Sequence, residues 1–264
     1  MPADVNLWRS TDHALEYLAR ADTIPHRTEG EAALLEGLPA RIERMLDLGS
    51  GDGRLLALVK LARPQVHAVA IDFSEAMLVR LRARFAGDRT VDVVAHDLDA
   101  SLPEFGGSFD VIVSSFAIHH LAHTRKESLY TEVFERLAPG GTFCNLEHVA
   151  SATETLHHQF LATLGVTAEE EDPSNKLLDV ETQLSWLREI GFIDVDCHWK
   201  WRELALLTGT KVRRSTRNNP ISGWTRIGYR PNVRPQLATD ALLLGAGTKL
   251  AGLTAGVCLH NICL

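Results

Sequence analysis

Apolar residues in this chain switch between two rhythms. Arg44 to Leu48 is a short apolar run closed by Gly49, and Leu55 to Leu61 follows at helical spacing. His67 to Ile71 makes a second run, after which Ser74 stands as N-cap to a helix carrying Met77, Leu78, Leu81 and Phe85. Val91 to Ala95 and Val111 to Ser114 supply a third and a fourth run. Tyr130, Val133, Phe134 and Leu137 mark a further helical face, ended by Pro139-Gly140-Gly141, and Thr142 to Val149 is the fifth run. Short runs bounded by turn residues read as buried strands, and the three-and-four spacing between them as helices. This βαβα order predicts an α/β, doubly wound fold, a parallel sheet covered by helices on both faces.

Both flanks depart from that rhythm. His13 to Ala21 and Glu31 to Leu35 read as helices ahead of the first strand, where they can lie over the ligand edge of the sheet. Thr182 to Ile190 is a late helix with Leu184, Leu187 and Ile190 on one face, stopped by Gly191. Phe192 to Trp199 and Arg202 to Gly209 then read as two strands joined tightly at Lys200-Trp201, an antiparallel hairpin closing one edge.

Charge divides the chain again. The 264 residues hold 27 Lys and Arg against 34 Asp and Glu, a net charge of −7. Residues 212 to 264 contain six Arg and one Lys against the single Asp240, a net of +6, which leaves −13 on residues 1 to 211. Asn218-Asn219-Pro220, Arg230-Pro231 and Arg234-Pro235 break any periodicity there. Three parts are therefore expected: N-terminal lid helices over 1-40, a ligand-binding domain over 41-211, and a basic, poorly ordered C-terminal tail over 212-264.

Apolar residues at 45% and charged residues at 23% exclude wholesale disorder and a multi-span membrane protein. The acidic balance argues against a nucleic-acid coat protein. Ala241 to Leu264 approaches membrane hydrophobicity, but Lys249, His260, Asn261 and four glycines interrupt it. Cys144, Cys197, Cys258 and Cys263 form no C-x-x-C pair, and the first twenty residues hold no apolar run like that of a signal peptide. Free thiols in a reducing cytoplasm are expected, with neither a membrane nor a nucleic acid as partner.

The first strand ends in Asp47-Leu48-Gly49-Ser50-Gly51-Asp52-Gly53, directly before a helix. Glycines at such a turn let backbone approach a ligand and leave amides at the helix N-terminus pointing at it. A dinucleotide fingerprint would read G-x-G-x-x-G; here the spacing is G-x-G-x-G and Arg54 stands at the third glycine position. Asp47 and Asp52 repel a pyrophosphate and suit a ligand with an ammonium group. Asp72 ends the second strand, where a carboxylate can accept from a ribose diol, and Asp97 ends the third, beside the Leu98 amide and within reach of an adenine amino group.

These residues resemble the class I S-adenosylmethionine-dependent methyltransferases, of bacterial small-molecule type. The resemblance rests on Leu46 to Gly53, Ala70 to Leu78, His96-Asp97-Leu98, Phe109 to Ser114, and Leu137 to Gly141, and covers roughly residues 41 to 149. It implies a mostly parallel, seven-stranded, Rossmann-like methyltransferase sheet with the last strand antiparallel, and S-adenosyl-L-methionine as cofactor. By the same resemblance Asp47, Gly49, Gly51 and Gly53 lie under the methionine part, Asp72 holds the ribose, and Asp97 with Leu98 meets the adenine. Phe73, Met77 and Ser114 complete that cofactor set, and Arg27, ahead of the core, is placed to pair with the cofactor carboxylate. The distal half also resembles carboxy-S-adenosylmethionine synthases, through Gly191-Phe192 and the Trp-rich strand into Leu204-Ala205-Leu206. A cofactor-modifying activity and a non-catalytic cofactor-binding module stay as alternatives to methyl transfer onto a small-molecule acceptor.

Methyl transfer needs alignment of the acceptor and sometimes removal of a proton. Residues past strands four and five face the methyl group in this architecture. His119 and His120 are the candidate bases, because imidazole titrates near working pH, and Glu147, with His148, can orient the acceptor. Imidazoles and a carboxylate so close also raise a metal site, but adjacent histidines rarely ligate one ion, and no metal is expected. His157 and His158 are expected on an exposed helix face.

Overall fold

Five parallel strands make up most of the sheet, and the inner ones are buried for the reason their sequence suggests: both of their faces are covered. In the computed structural model, which describes residues 10–21 and 23–213, the five are β1 (Arg44–Leu48), β2 (His67–Asp72), β3 (Val91–Ala95), β4 (Phe109–Ser115) and β5 (Leu137–His148). A hairpin, β6 (Phe192–Trp201) and β7 (Leu204–Lys211), completes a seven-stranded sheet of order β3-β2-β1-β4-β5-β7-β6 among the described residues. β7 runs antiparallel to both neighbours. Of the expected tail only Val212 and Arg213 are described; the rest, Ala241 to Leu264 included, lies outside the described residues, as do residues 1–9.

Alternate side chains of the strands feed two cores. On one face Leu46, Leu48, Ile71 and Ile112 meet α5 (His123–Arg136) and α7 (Val180–Ile190) through Tyr130, Val133, Leu184 and Leu187. On the other, Met45, Ala70, Val111 and Val113 meet α2 (Arg27–Gly37), α3 (Arg54–Ala62) and α4 (Glu75–Arg84) through Leu34, Leu56, Val59 and Leu81. α1 (Thr11–Ala21) packs against α4, and α2 lies against β5, β6 and β7. The strand order reverses between β1 and β4, and a doubly wound sheet binds ligands outside the carboxyl ends of the strands at that point.

Two boundaries differ from the sequence expectation. α5 ends at Arg136, and Pro139-Gly140-Gly141 lies inside β5 as a bulge opposite Phe109 and Val111 rather than before the strand. The hairpin turns at Arg202-Glu203, two residues later than expected, because register shifts at Ile193/Asp196 and Cys197/Trp199 lengthen β6. Trp201 thereby pairs with Leu204 and packs edge-on against Phe160 of α6 (Glu154–Leu164). Ser74 does occupy the N-cap of α4, but its side chain makes no capping bond; its amide is taken by Asp72 Oδ1.

Two glycines of the first loop differ in what surrounds them. Gly53 (φ +83°) lies where an added Cβ would come within 2.6 Å of Leu81 Cδ1 and 2.7 Å of Phe85 Cε2, whereas at Gly51 (φ +56°) it would meet nothing within 4 Å. Gly51→Ala should therefore cost only the left-handed backbone term, about 1–2 kcal/mol. Gly53→Ala should add overpacking to that and cost about 2–5 kcal/mol. Urea unfolding of the two variants measures the difference, and equal losses would contradict this packing.

Candidate active site

The carboxyl edge at the reversal point opens into two adjoining cavities. The smaller, about 340 Å³, is walled by the first loop and by the ends of β2 and β3. Asp72 ties these walls together: its Oδ2 accepts from the Gly51 amide and its Oδ1 from the Ser74 amide, both at 2.8 Å. Burial nevertheless pushes its carboxyl up from the ordinary range. Phe73, Met77, Asp97 and Leu98 line the same cavity; Asp97 Oδ1 accepts from the Asp99 amide, and the Leu98 carbonyl is held by Arg125. Gly49 lines it beside Ala117, whose Cβ would lie 2.2 Å from any Cβ placed on Gly49.

The acidic residues of the first loop part company. Asp52 is paired with Arg84, which also donates to its carbonyl. Asp47, 1% exposed, lines the cavity with a buried Oδ2 that makes no hydrogen bond. Burial, with the charge of Asp72 adding to it, pushes the Asp47 carboxyl up to about 7. A carboxylate so placed is stabilised by a cation delivered into the cavity.

A cationic cluster lines the same cavity. Arg27 lines the cavity, donates through Nε to Glu31 Oε1 at 3.0 Å and through Nη1 to the Tyr17 hydroxyl, and lies over the Phe116 ring. Glu31, buried, also accepts from Arg54 Nε at 2.7 Å and from its Nη2 at 3.0 Å. Two guanidinium groups on one carboxylate leave a net positive charge on this side. Glu31 did not stand out in the sequence, and Arg54 stood out only as the departure from a dinucleotide fingerprint. The available signal was the i, i+4 spacing of Arg27 and Glu31 and the Arg at the third glycine position.

Ser114 and Gly53, both expected at the cofactor, do not line this cavity among the described residues. Ser114 is fully buried, with its hydroxyl donating to the Leu48 carbonyl, so it fastens β4 to the end of β1. Strand parity explains this: successive residues point to opposite faces, and it is Ser115 that reaches the cavity.

The larger cavity, about 580 Å³, shares Tyr17, Phe116 and His120 with the smaller. His119 and His120 sit on a single 3-10 turn, Ile118–His120, after β4. His119, 6% exposed, lines the larger cavity and meets Glu147 Oε1 through Nδ1 at 2.8 Å. Glu147 is fully buried at the end of β5 and also accepts from the His148 amide and from Asn145 Nδ2. Burial raises its pKa, while the nearby charge of Lys126 opposes that rise. Lys126 is itself buried, which lowers its ammonium to about 8, and donates to the Lys176 carbonyl. An ionised Glu147 accepts on both oxygens, which puts the His119 proton on Nδ1 and the lone pair on Nε2. Burial, with His148 and Lys126 adding to it, holds His119 well below the usual imidazole range. His120 bonds Ser174 Oγ through Nδ1.

Behind the dyad, Glu203 gathers two more imidazoles. His148 Nε2 lies 3.0 Å from its Oε2, and His157 Nδ1 lies 3.0 Å from its Oε1, while His157 Nε2 reaches Glu171. His157 is therefore turned inward rather than exposed, and only His158 sits on the open helix face. Among the described residues no group of three His, Cys, Asp or Glu side chains is arranged to hold a metal ion, and no helix is long and apolar enough to cross a membrane.

Residues 46–143 match the family model described as a methyltransferase domain. The chain is 32% identical over 173 residues to the demethylmenaquinone methyltransferase of Clavibacter sepedonicus, covering 60% of this chain and 69% of that protein. It is 27% identical over 254 residues to the trans-aconitate 2-methyltransferase of Streptomyces avermitilis, covering 91% of this chain and 86% of the other. Several other curated relatives are matched over only about half of their length. Among solved structures, human N-acetylserotonin methyltransferase in complex with SAM shares the fold at a TM-score of 0.58 and 16% identity, over 78% of this chain and 58% of that one.

The dyad geometry makes a prediction independent of any reaction. At about pH 6.5, an ordinary imidazole pKa, nitrogen-15 NMR should find His119 neutral with its proton on Nδ1. Glu147→Gln should remove the fixed acceptor and let the Nε2-protonated form appear. A wild-type ring protonated on Nε2 would contradict the assignment.

Proposed function

The chain belongs to the class I S-adenosylmethionine-dependent methyltransferases, and from that premise we propose that the smaller cavity takes S-adenosyl-L-methionine and the larger one a small-molecule acceptor, with His119 as general base. The single observation that carries the reading is the buried Asp47 Oδ2, which has no hydrogen bond, on a residue that lines the smaller cavity together with Arg27 and Arg54, the two partners of Glu31. A ligand with an ammonium at one side and a carboxylate at the other fits that polarity. The open space at Gly51 leaves room for it beside the backbone.

In this reading Asp47 and Gly51 hold the amino-acid end, and Arg27 is placed for its carboxylate. Asp72 has lone pairs left after its two amide bonds and accepts from the ribose, while Asp97 and Leu98 meet the base. Phe73 and Met77 supply apolar wall. When bound, the cofactor supplies an electrophilic methyl group on a cationic sulfur. His119 takes the proton that the acceptor atom loses as it gains the methyl, and Glu147 stabilises the resulting imidazolium through Nδ1–H. His120, shared by both cavities, lies at their junction and helps to align the acceptor.

Two measurements test this. Calorimetric titration with S-adenosyl-L-methionine should show affinity rising with pH between about 5 and 7, by up to about tenfold per unit, as Asp47 loses its proton, and levelling above. The sign follows from a carboxyl raised to about 7 in the free protein: below that pH the incoming ammonium must first displace a proton. Asp47→Asn should flatten the profile, and no binding at all would remove the reading. Against an acceptor that must lose a proton, His119→Gln should lower kcat by about 10²–10⁴-fold with little change in cofactor affinity.

A further inference from the structure

The larger cavity also says what charge its acceptor carries, an inference that rests on the methyltransferase reading above. Among the described residues its wall holds the carboxylates of Glu16, Glu169, Glu170, Glu171 and Asp172, and neither Lys nor Arg. Two of these acids have imidazole neighbours, His13 at 3.4 Å from Asp172 and His157 at 3.1 Å from Glu171. The wall also carries His119, His120 and His148. Burial holds His119 and His120 well below the usual imidazole range, so even with His13, His148 and His157 all charged the five carboxylates leave it net negative. The same lining holds the apolar side chains of Ile24, Phe116 and Phe160.

A second observation marks the same cavity as a binding site rather than an acidic surface. His119 is 6% exposed, lines it, and has its Nδ1 committed to Glu147, while Nε2 makes no hydrogen bond. A buried imidazole with its lone pair turned to a cavity is completed by a ligand proton.

We propose that the acceptor combines an apolar body with a cationic group such as a protonated amine, and that this wall rejects acids. The cation lies against the carboxylates, the body against Phe116 and Phe160, and the atom to be methylated toward His119. Like charges disfavour a bound anion and opposite charges favour a cation at this wall. A polycarboxylate such as trans-aconitate, after which the Streptomyces relative is named, has the wrong sign for it. The smaller cavity differs in carrying guanidinium groups, of Arg27, Arg54 and Arg84, beside its aspartates.

Three probes with one indole body and different heads test the proposal: tryptamine, tryptophol and indole-3-acetate. Each is titrated by ligand-observed NMR into the full chain saturated with S-adenosylhomocysteine. Tryptamine should bind at least tenfold more tightly than indole-3-acetate, with tryptophol between them. In Glu16→Gln/Glu169→Gln, whose exposed side chains leave the core intact, that ratio should fall at least threefold. Equal or tighter binding of the acid, an unchanged ratio in the variant, or no binding by any probe would overturn the proposal. A separate titration with S-adenosylhomocysteine alone distinguishes the two failures. Its absence of binding would remove the cofactor reading, whereas normal binding with the wrong probe order would remove only the charge assignment.

Discussion

A carboxylate buried at the end of a strand must be matched or lose its charge, and this edge of the sheet is built from three such groups. Desolvation of an unmatched carboxylate costs several kcal/mol in real proteins (on the order of 3–5 kcal/mol when a partner is removed), so each group needs its own answer. Asp72 is matched by loop amides, and this fixes the glycine loop against the end of β2. Glu147 is matched by an imidazole, an amide side chain and a backbone N–H, with Lys126 nearby. Its demand for a proton donor orients His119. Asp47 alone has a buried oxygen left unbonded, and its carboxyl answers by moving toward neutrality. The first two acids hold the scaffold, and the third is completed by what arrives.

That division explains which parts of the site were legible in the sequence. Strand-end acids stand immediately after apolar runs, so Asp47, Asp72 and Asp97 declare themselves by position, as the glycines do by spacing. Parity at a strand end is harder to read. Ser114 and Ser115 are neighbours of the same type, and only the registered pairing of Leu48 with Ser114 decides which hydroxyl turns into the sheet and which into the cavity. Glu31 was hidden for another reason. Its partner Arg54 lies 23 residues away, and only the packing of α2 beside α3 brings them together. A lone Glu on a short helix otherwise reads as solvated surface.

The hairpin was misplaced because bulges leave no trace in an alternating pattern. β6 shows regular alternation of exposed and half-buried residues, so two inserted residues change the turn without disturbing the apparent period. The consequence reaches the site. Turning at Arg202-Glu203 places Glu203 inside the protein, where burial works against its charge but His148, Ser151 and His157 hold its carboxyl below the ordinary range. Through His157 and Glu171 the end of the sheet is connected to the 165–175 segment that walls the larger cavity.

The two cavities therefore draw on partly different parts of the chain. The smaller cavity draws mainly on the loops after β1, β2, β3 and β4, inside the stretch that matches the methyltransferase family model, with Tyr17, Leu18, Ala21 and Arg27 added from ahead of it. The larger one adds to Phe116, His119 and His120, which lie inside that stretch, residues of α1, α6 and the 165–175 segment, which lie outside it. Relatives can keep the first set of loops, whose geometry is tied to one cofactor through Asp72 and the glycine backbone, while the second set varies in charge without disturbing the sheet. Overall similarity to a relative named for an acid is then compatible with a wall of carboxylates here, because Glu16, Glu169, Glu170, Glu171 and Asp172 lie outside the stretch that matches the family model.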